Sequence, residues 1–349
     1  MSRRILNGLA GALLGGLLLQ AEPAAFAQAP TPKKPLWTHA FDLKCRTSKE
    51  LTFDKAKAWG TEVFKDNNND HGVYILESGS LAVARGFAGI NAAIKDSKSP
   101  AWMHGLDLKV RKAGEQEFTD KTQVISLEVF RDENTGDWIY ITEKGFIAVA
   151  PGAKGILAPT ASPKAPVWVH GLDLKCRKGG EKAFDANTKV WSIEVFRDEN
   201  TGLLIYICES GAISLASGER PPADAKSKAP EWLHGLDLKC RKGGEKDFGP
   251  GTRTFGLEVF RDENNGNWIY ICEVGTVAVL PGNKSAKAPT PTPREPRWTH
   301  GLDLMCRRHG EPEFNPKTRV FGLEIFRDEN TDTVLYISEV GAIAATAAK

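Results

Sequence analysis

Helical periodicity is missing from this chain: nowhere do apolar residues recur every three to four positions over successive turns. Net charge is nearly absent, with 46 basic residues against 44 acidic ones. The two signs alternate along the chain instead of segregating, which argues against a nucleic-acid partner or an anionic membrane surface. After the N-terminus no apolar run is long enough to span a bilayer, so no membrane insertion is expected of the mature chain. Cysteine is scarce, at six in 349 residues, and neither Cys-x-x-Cys nor His-x-His spacing occurs. That leaves no transition-metal set to propose. The Gly-x-Ser-x-Gly elbow, the His-Glu-x-x-His helix, the phosphate loop and the dinucleotide fingerprint are all lacking. The chain is expected not to be an enzyme.

What is present is repetition. Five copies of a unit of about 65 residues open at Trp37, Trp102, Trp168, Trp232 and Trp298. Two residues later stand His39, His104, His170, His234 and His300. Five tyrosines (Tyr74, Tyr140, Tyr206, Tyr270, Tyr336) occupy one position of the unit each. A fixed period of this kind marks a repeat array or a propeller. The repeats are bounded at 36–86, 100–151, 166–217, 230–281 and 296–349, and residues 28–35 form a leading linker. Stretches rich in Pro, Ala, Lys and Ser join the copies, as at 161–166, 225–230 and 287–296.

Ahead of the repeats, Arg3-Arg4, an apolar run over 5–19 and Ala25-Phe26-Ala27 make a secretory signal peptide, placed at 1–27. The mature protein is therefore expected to be secreted or periplasmic. An oxidising compartment permits disulfides. The paired cysteines of copies three and four suggest bridges 176–208 and 240–272, with 45–306 joining the first and last copies. The competing reading treats all six as small buried side chains, because copy two has Val110 and Thr142 at the same positions.

Copy three shows the strand pattern. Leu172, Leu174 and Cys176 alternate with Asp173, Lys175 and Arg177; Trp191, Ile193 and Val195 follow; then comes a turn over 198–202 and a run of β-formers over 204–208. A short fourth strand completes an antiparallel meander. The fold class is all-β: five tandem four-stranded meanders, expected to close as a five-bladed β-propeller, the alternative being five small β domains on flexible linkers.

Three features invite a functional reading. The Trp-x-His opening suggests a sugar platform, with the indole stacking and the imidazole fixing a hydroxyl; residues present in every copy also commonly serve the array itself. The Asp-x-Asn turn, with a glutamate twelve positions on (Glu77, Glu143, Glu209, Glu273, Glu339), admits calcium, although an intervening strand and a missing sixth-position glycine favour plain hairpin chemistry. Mid-strand Glu62, Glu128, Glu194, Glu258 and Glu324 are expected to pair with first-strand Lys or Arg across the sheet.

In copy number and strand count the layout resembles the five-bladed lectin propellers of the tachylectin type. The repeat here is longer, and no sugar-binding motif of that family matches, so no site residue is carried over. The expected function is multivalent, non-catalytic binding, of glycans in a lectin-like manner. The alternative is a scaffold of the cell envelope that presents five similar surfaces to protein partners.

Overall fold

The computed structural model describes residues 33–348 except 49, 153–161, 218–227, 283–291 and 309. The signal peptide, parts of the connectors and His309 lie outside the described residues. Twenty strands, and no helix among the described residues, form five four-stranded antiparallel sheets. The first sheet holds β1 (Leu36–Cys45), β2 (Lys57–Asp66), β3 (His71–Leu76) and β4 (Leu81–Ala84). The second holds β5 (Ala101–Val110), β6 (Gln123–Arg131), β7 (Trp138–Thr142) and β8 (Ile147–Ala150). The third holds β9 (Val167–Cys176), β10 (Lys189–Arg197), β11 (Leu204–Cys208) and β12 (Ile213–Ala216). The fourth holds β13 (Glu231–Cys240), β14 (Arg253–Arg261), β15 (Trp268–Cys272) and β16 (Val277–Leu280). The fifth holds β17 (Arg297–Cys306), β18 (Arg319–Asp328), β19 (Thr333–Ser338) and β20 (Ile343–Ala347).

The sheets stand in a ring, as the blades of a five-bladed β-propeller. Fourth strands touch one another around the axis, β4 to β8, β8 to β12, β12 to β16, β16 to β20 and β20 to β4. First strands are outermost. That position explains how β5 can carry Asp107 and Lys109: both face solvent, while Leu106, Leu108 and Val110 face the neighbouring blade.

Cover comes from neighbours. Each of five apolar clusters mixes two adjacent blades, for example Leu172, Leu174 and Val195 of the third with Phe260, Ile269 and Ile271 of the fourth. The last cluster joins Leu302, Leu304 and Ile325 of blade five to Val73 and Ile75 of blade one, which closes the ring. Burying each such aliphatic contributes about 1.5–3 kcal/mol, and the gain is available only when the neighbouring blade is present. Among the described residues every blade is one uninterrupted run of chain, with no strand exchanged between the first and last blades.

The six cysteines are free and buried. The bridges 176–208 and 240–272 are thereby corrected. Each pair sits on the first and third strands of one sheet with the second strand between them. Cys176 is paired with Lys189 and Cys208 with Ile193, so the two are offset along the sheet as well as set two strand spacings apart. Those spacings alone amount to about 9.6 Å, beyond the roughly 7 Å that a disulfide tolerates between α-carbons. The 45–306 bridge fails for another reason. Cys45 Sγ donates toward Ile141 O in blade two, whereas Cys306 Sγ donates toward Ile75 O in blade one. Each thiol serves a different junction, and a whole sheet separates them. Burial pushes the Cys208 thiol up to about 11 and the Cys272 thiol up to about 12, so both remain protonated near neutrality.

Candidate functional site

The residues that recur in every copy converge on the five junctions between blades, in two layers. A bulge at the start of each first strand decides which junction each ring enters. Register shifts between Trp37 and His39, and at the matching point of the other four sheets. In a regular strand, residues two apart share a face; one extra residue reverses this. The indole therefore faces the junction with the preceding blade and the imidazole the junction with the next. The two rings of one copy are thus placed at neighbouring junctions and do not lie side by side.

The inner layer is a His–Asp–Tyr latch. His39, His104, His170, His234 and His300, all no more than 6% exposed, place Nε2 2.8–2.9 Å from Asp132, Asp198, Asp262, Asp328 and Asp66 of the next blade. Tyrosines Tyr74, Tyr140, Tyr206, Tyr270 and Tyr336 donate to the same carboxylate oxygens at 2.7–3.2 Å. The other oxygen of each aspartate accepts the backbone N–H and side-chain amide of the asparagine two residues on, as Asp198 does from Asn200. That asparagine's own oxygen catches the incoming connector, as Asn200 does the Lys164 N–H at 2.8 Å. Burial alone would raise the Asp198 carboxyl, but the hydrogen bonds of His104 and Tyr140 and the charge of His104 outweigh it and hold it at about 2.

These aspartates are the first residues of the turns expected to be plain hairpins with calcium as the lesser reading, and both of their oxygens have protein donors. The twelfth-position glutamates stand at the opposite end of the third strand. There Glu143, Glu209, Glu273 and Glu339 accept backbone N–H groups of Ser48, Ala113, Gly179 and Gly243 from the preceding blade. The third strand keeps the turn and the glutamate apart, as the sequence implied.

The outer layer is an Arg–Glu–Trp clasp. Glu62, Glu128, Glu194, Glu258 and Glu324 are buried, and each accepts the indole N–H of its own blade at 2.7–2.8 Å. Each also accepts Nε of an arginine from the preceding blade: Arg46 on Glu128, and Arg111, Arg177, Arg241 and Arg307 at 2.5 Å on Glu194, Glu258, Glu324 and Glu62. The expected cross-strand pair within a sheet is thus corrected to a pair between blades. Four glycines make room for it. A Cβ on Gly105, Gly171, Gly235 or Gly301 would lie 1.7–1.8 Å from the incoming guanidinium. Burial raises the carboxyl of Glu258 against the opposing pull of Trp232 and Arg177.

Over the clasp folds the loop between the first and second strands of the preceding blade. Its phenylalanine (Phe314, Phe53, Phe118, Phe184 or Phe248) meets the indole edge-on, with centroids 5.7–6.1 Å apart. The same arginine lies 5.5–5.9 Å over that phenylalanine ring. The result is a rim groove at each junction, walled by indole, phenyl and guanidinium. Trp102, Trp168 and Trp298 remain 37–44% exposed, and Trp37 and Trp232 are half-buried. Between blades five and one the groove deepens into a cavity of about 380 Å³ whose lining includes Trp37, Ser97, Arg307, Pro312, Glu313 and Phe314.

Sequence reasoning found the recurring Trp and His, and missed the partners Arg307, Phe314 and their equivalents. Those lie nine and sixteen residues downstream of the opening tryptophan of the preceding copy, where no spacing rule points to them. The signal that was available is their recurrence at one position of every unit.

No protein-family model matches the chain, and no curated protein matches it. Among solved structures, the selenomethionine-substituted virginiamycin B lyase of Staphylococcus aureus is 11% identical, with 89% of each chain covered and a TM-score of 0.12. A catalytically inactive form of that lyase with Quinupristin is 14% identical, covering 90% of this chain and 96% of the other, again with a TM-score of 0.12. Similarity of that size leaves the site to be read from its own geometry.

Proposed function

We propose that the protein is an exported, non-catalytic binding module whose five rim grooves engage repeated units of a glycan. One observation carries this reading. At each junction an indole is fixed by its N–H on a buried glutamate and by an edge-on phenylalanine, and at three junctions its face stays substantially open. A flat apolar face that cannot swing away, beside charged hydrogen-bonding groups, suits the alternating apolar and hydroxyl faces of a sugar ring. The histidines act behind the platform as part of the junction and make no contact with ligand. Export is supported by the N-terminal sequence pattern.

Five weak sites on one rigid body would act through avidity. On a glycan array, the mature protein should bind polymeric glycans, and binding should fall by roughly 10²-fold when Trp102, Trp168 and Trp298 are all changed to Ala, in line with the loss of multivalency. Melting of the variant would be followed in parallel. An array without a single binder, or a folded triple variant that binds as before, would refute the proposal. Binding that instead follows the Pro-rich connectors would point to the envelope scaffold.

A further inference from the structure

The inner strands all run the same way along the axis, so residues at equal positions form rings at equal depth. Their first residues, Leu81, Ile147, Ile213, Val277 and Ile343, are bulky and nearly fully buried. The strands' last positions are mostly small, with Ala84, Ala150 and Ala216 among them. This gradient shapes the axis: a throat of about 70 Å³ opens at one end into a funnel of about 460 Å³. The mouth lies at the end where the second and third strands join, since Ala84 pairs with Gly72 at the start of β3.

We infer that this funnel is a single binding site for a small amphiphile with a compact apolar body and an anionic head, of the alkyl carboxylate class. The volume falls within the range of small-molecule sites, and such sites are mainly apolar with a few placed polar groups. Here the wall is alanine, valine, leucine and proline, with Ser217 and Thr346 as hydroxyls. Among the described residues, Arg85 is the one ionisable side chain lining it, and no carboxylate shares that wall. Arg85 also breaks the fivefold pattern, because the other copies place Pro151, Ser217, Pro281 and Ala347 there. A site with one head group needs one charge, and a symmetric ring would supply five or none.

The guanidinium is held in place: Nε donates to Thr346 Oγ1 at 3.0 Å and Nη2 donates to the Ala347 carbonyl. Arginine has five N–H donors, more than these contacts use, and a carboxylate at the rim takes two of them in the forked geometry that arginine favours. The alkyl body then points down the axis and ends at the aliphatic ring that closes the throat. This site is independent of the rim grooves and does not rest on the glycan reading.

The test uses mature protein with 8-anilinonaphthalene-1-sulfonate as reporter and decanoate as competitor. Decanoate should displace the reporter at one site per chain, and decyltrimethylammonium should not. Arg85→Met should weaken decanoate about tenfold, as expected for loss of a charge-assisted bond, and leave decanol unchanged. Ser217→Trp, at an exposed position of the wall, should abolish binding of both without lowering the melting temperature; Pro151→Trp serves if the first variant fails to fold. A stoichiometry near five, equal binding of the cationic amphiphile, or plugged variants that bind normally would overturn the assignment. Glycan binding by the plugged variants is scored separately, so failure of one site is not mistaken for failure of the other.

Discussion

Tyr74 has one hydroxyl proton and two carboxylates within reach, Asp132 and Asp137, each at 3.0 Å. The junction between blades one and two is therefore unlike its sisters. At the position of Asp137 the other copies use His71, Leu203, Asn267 and Thr333. Burial first, and then the charge of Asp132, push the Asp137 carboxyl up to about 6 against hydrogen bonds from Thr135 and Tyr74. Its folded pKa is thus above the unfolded value of about 3.9, so the folded state binds the extra proton. The ionised group costs stability above pH 6; that cost shrinks as pH falls through 6 and is gone below about 4. Asp137→Asn, which borrows the residue of copy four, should raise the melting temperature by about 2 °C at pH 8, and the offset should vanish near pH 4. Equal melting at pH 8, or an offset unchanged at pH 4, would contradict this account. The latch aspartates have the opposite sign. Asp198, held at about 2, stabilises the fold above pH 4 and loses that contribution as pH falls toward 2.

Among the elements, the loop between first and second strands has the largest reach, because it carries the clasp onto the next blade. Removing one partner of a buried ion pair leaves the other charge without compensation, at a cost of about 3 kcal/mol. Arg177→Met should therefore destabilise strongly, and adding Glu258→Gln should recover much of the loss; a double-mutant cycle in denaturant measures the coupling. Additive losses would show that the clasp contributes little. The strands themselves could be read from the chain, since Leu172, Leu174 and Cys176 alternate with polar residues as a half-covered edge requires. The partners could not. Arg177 and Arg241 occupy the same place in their copies, so nothing in the order of residues tells whether Glu258 bonds its own copy's arginine or the preceding one. The paired cysteines misled for the same reason: equal spacing in copies three and four reflects the repeat, and says nothing of proximity across an intervening strand. The bulge at Trp-x-His was equally hidden, because alternation implies a shared face until one residue is added.

At the scale of the whole molecule, stability is distributed over junctions more than over blades. Every apolar cluster straddles two sheets, and a single 50-residue meander has too little interior of its own. An excised copy spanning 166–217 should show no cooperative melt and little amide protection in hydrogen exchange, whereas the intact ring should unfold in one transition. An isolated copy that melts as high as the parent would overturn this view of the fold.

The seam between blades five and one has the same latch and clasp as the four internal junctions, with no shared strand among the described residues to sew it shut. A ring sprung open there would expose a donor face at one terminus and its matching acceptor at the other. Two such opened molecules fit each other as well as each fits itself, so concentration and ring curvature, more than chemical identity, set whether the chain bites its own tail or a neighbour's.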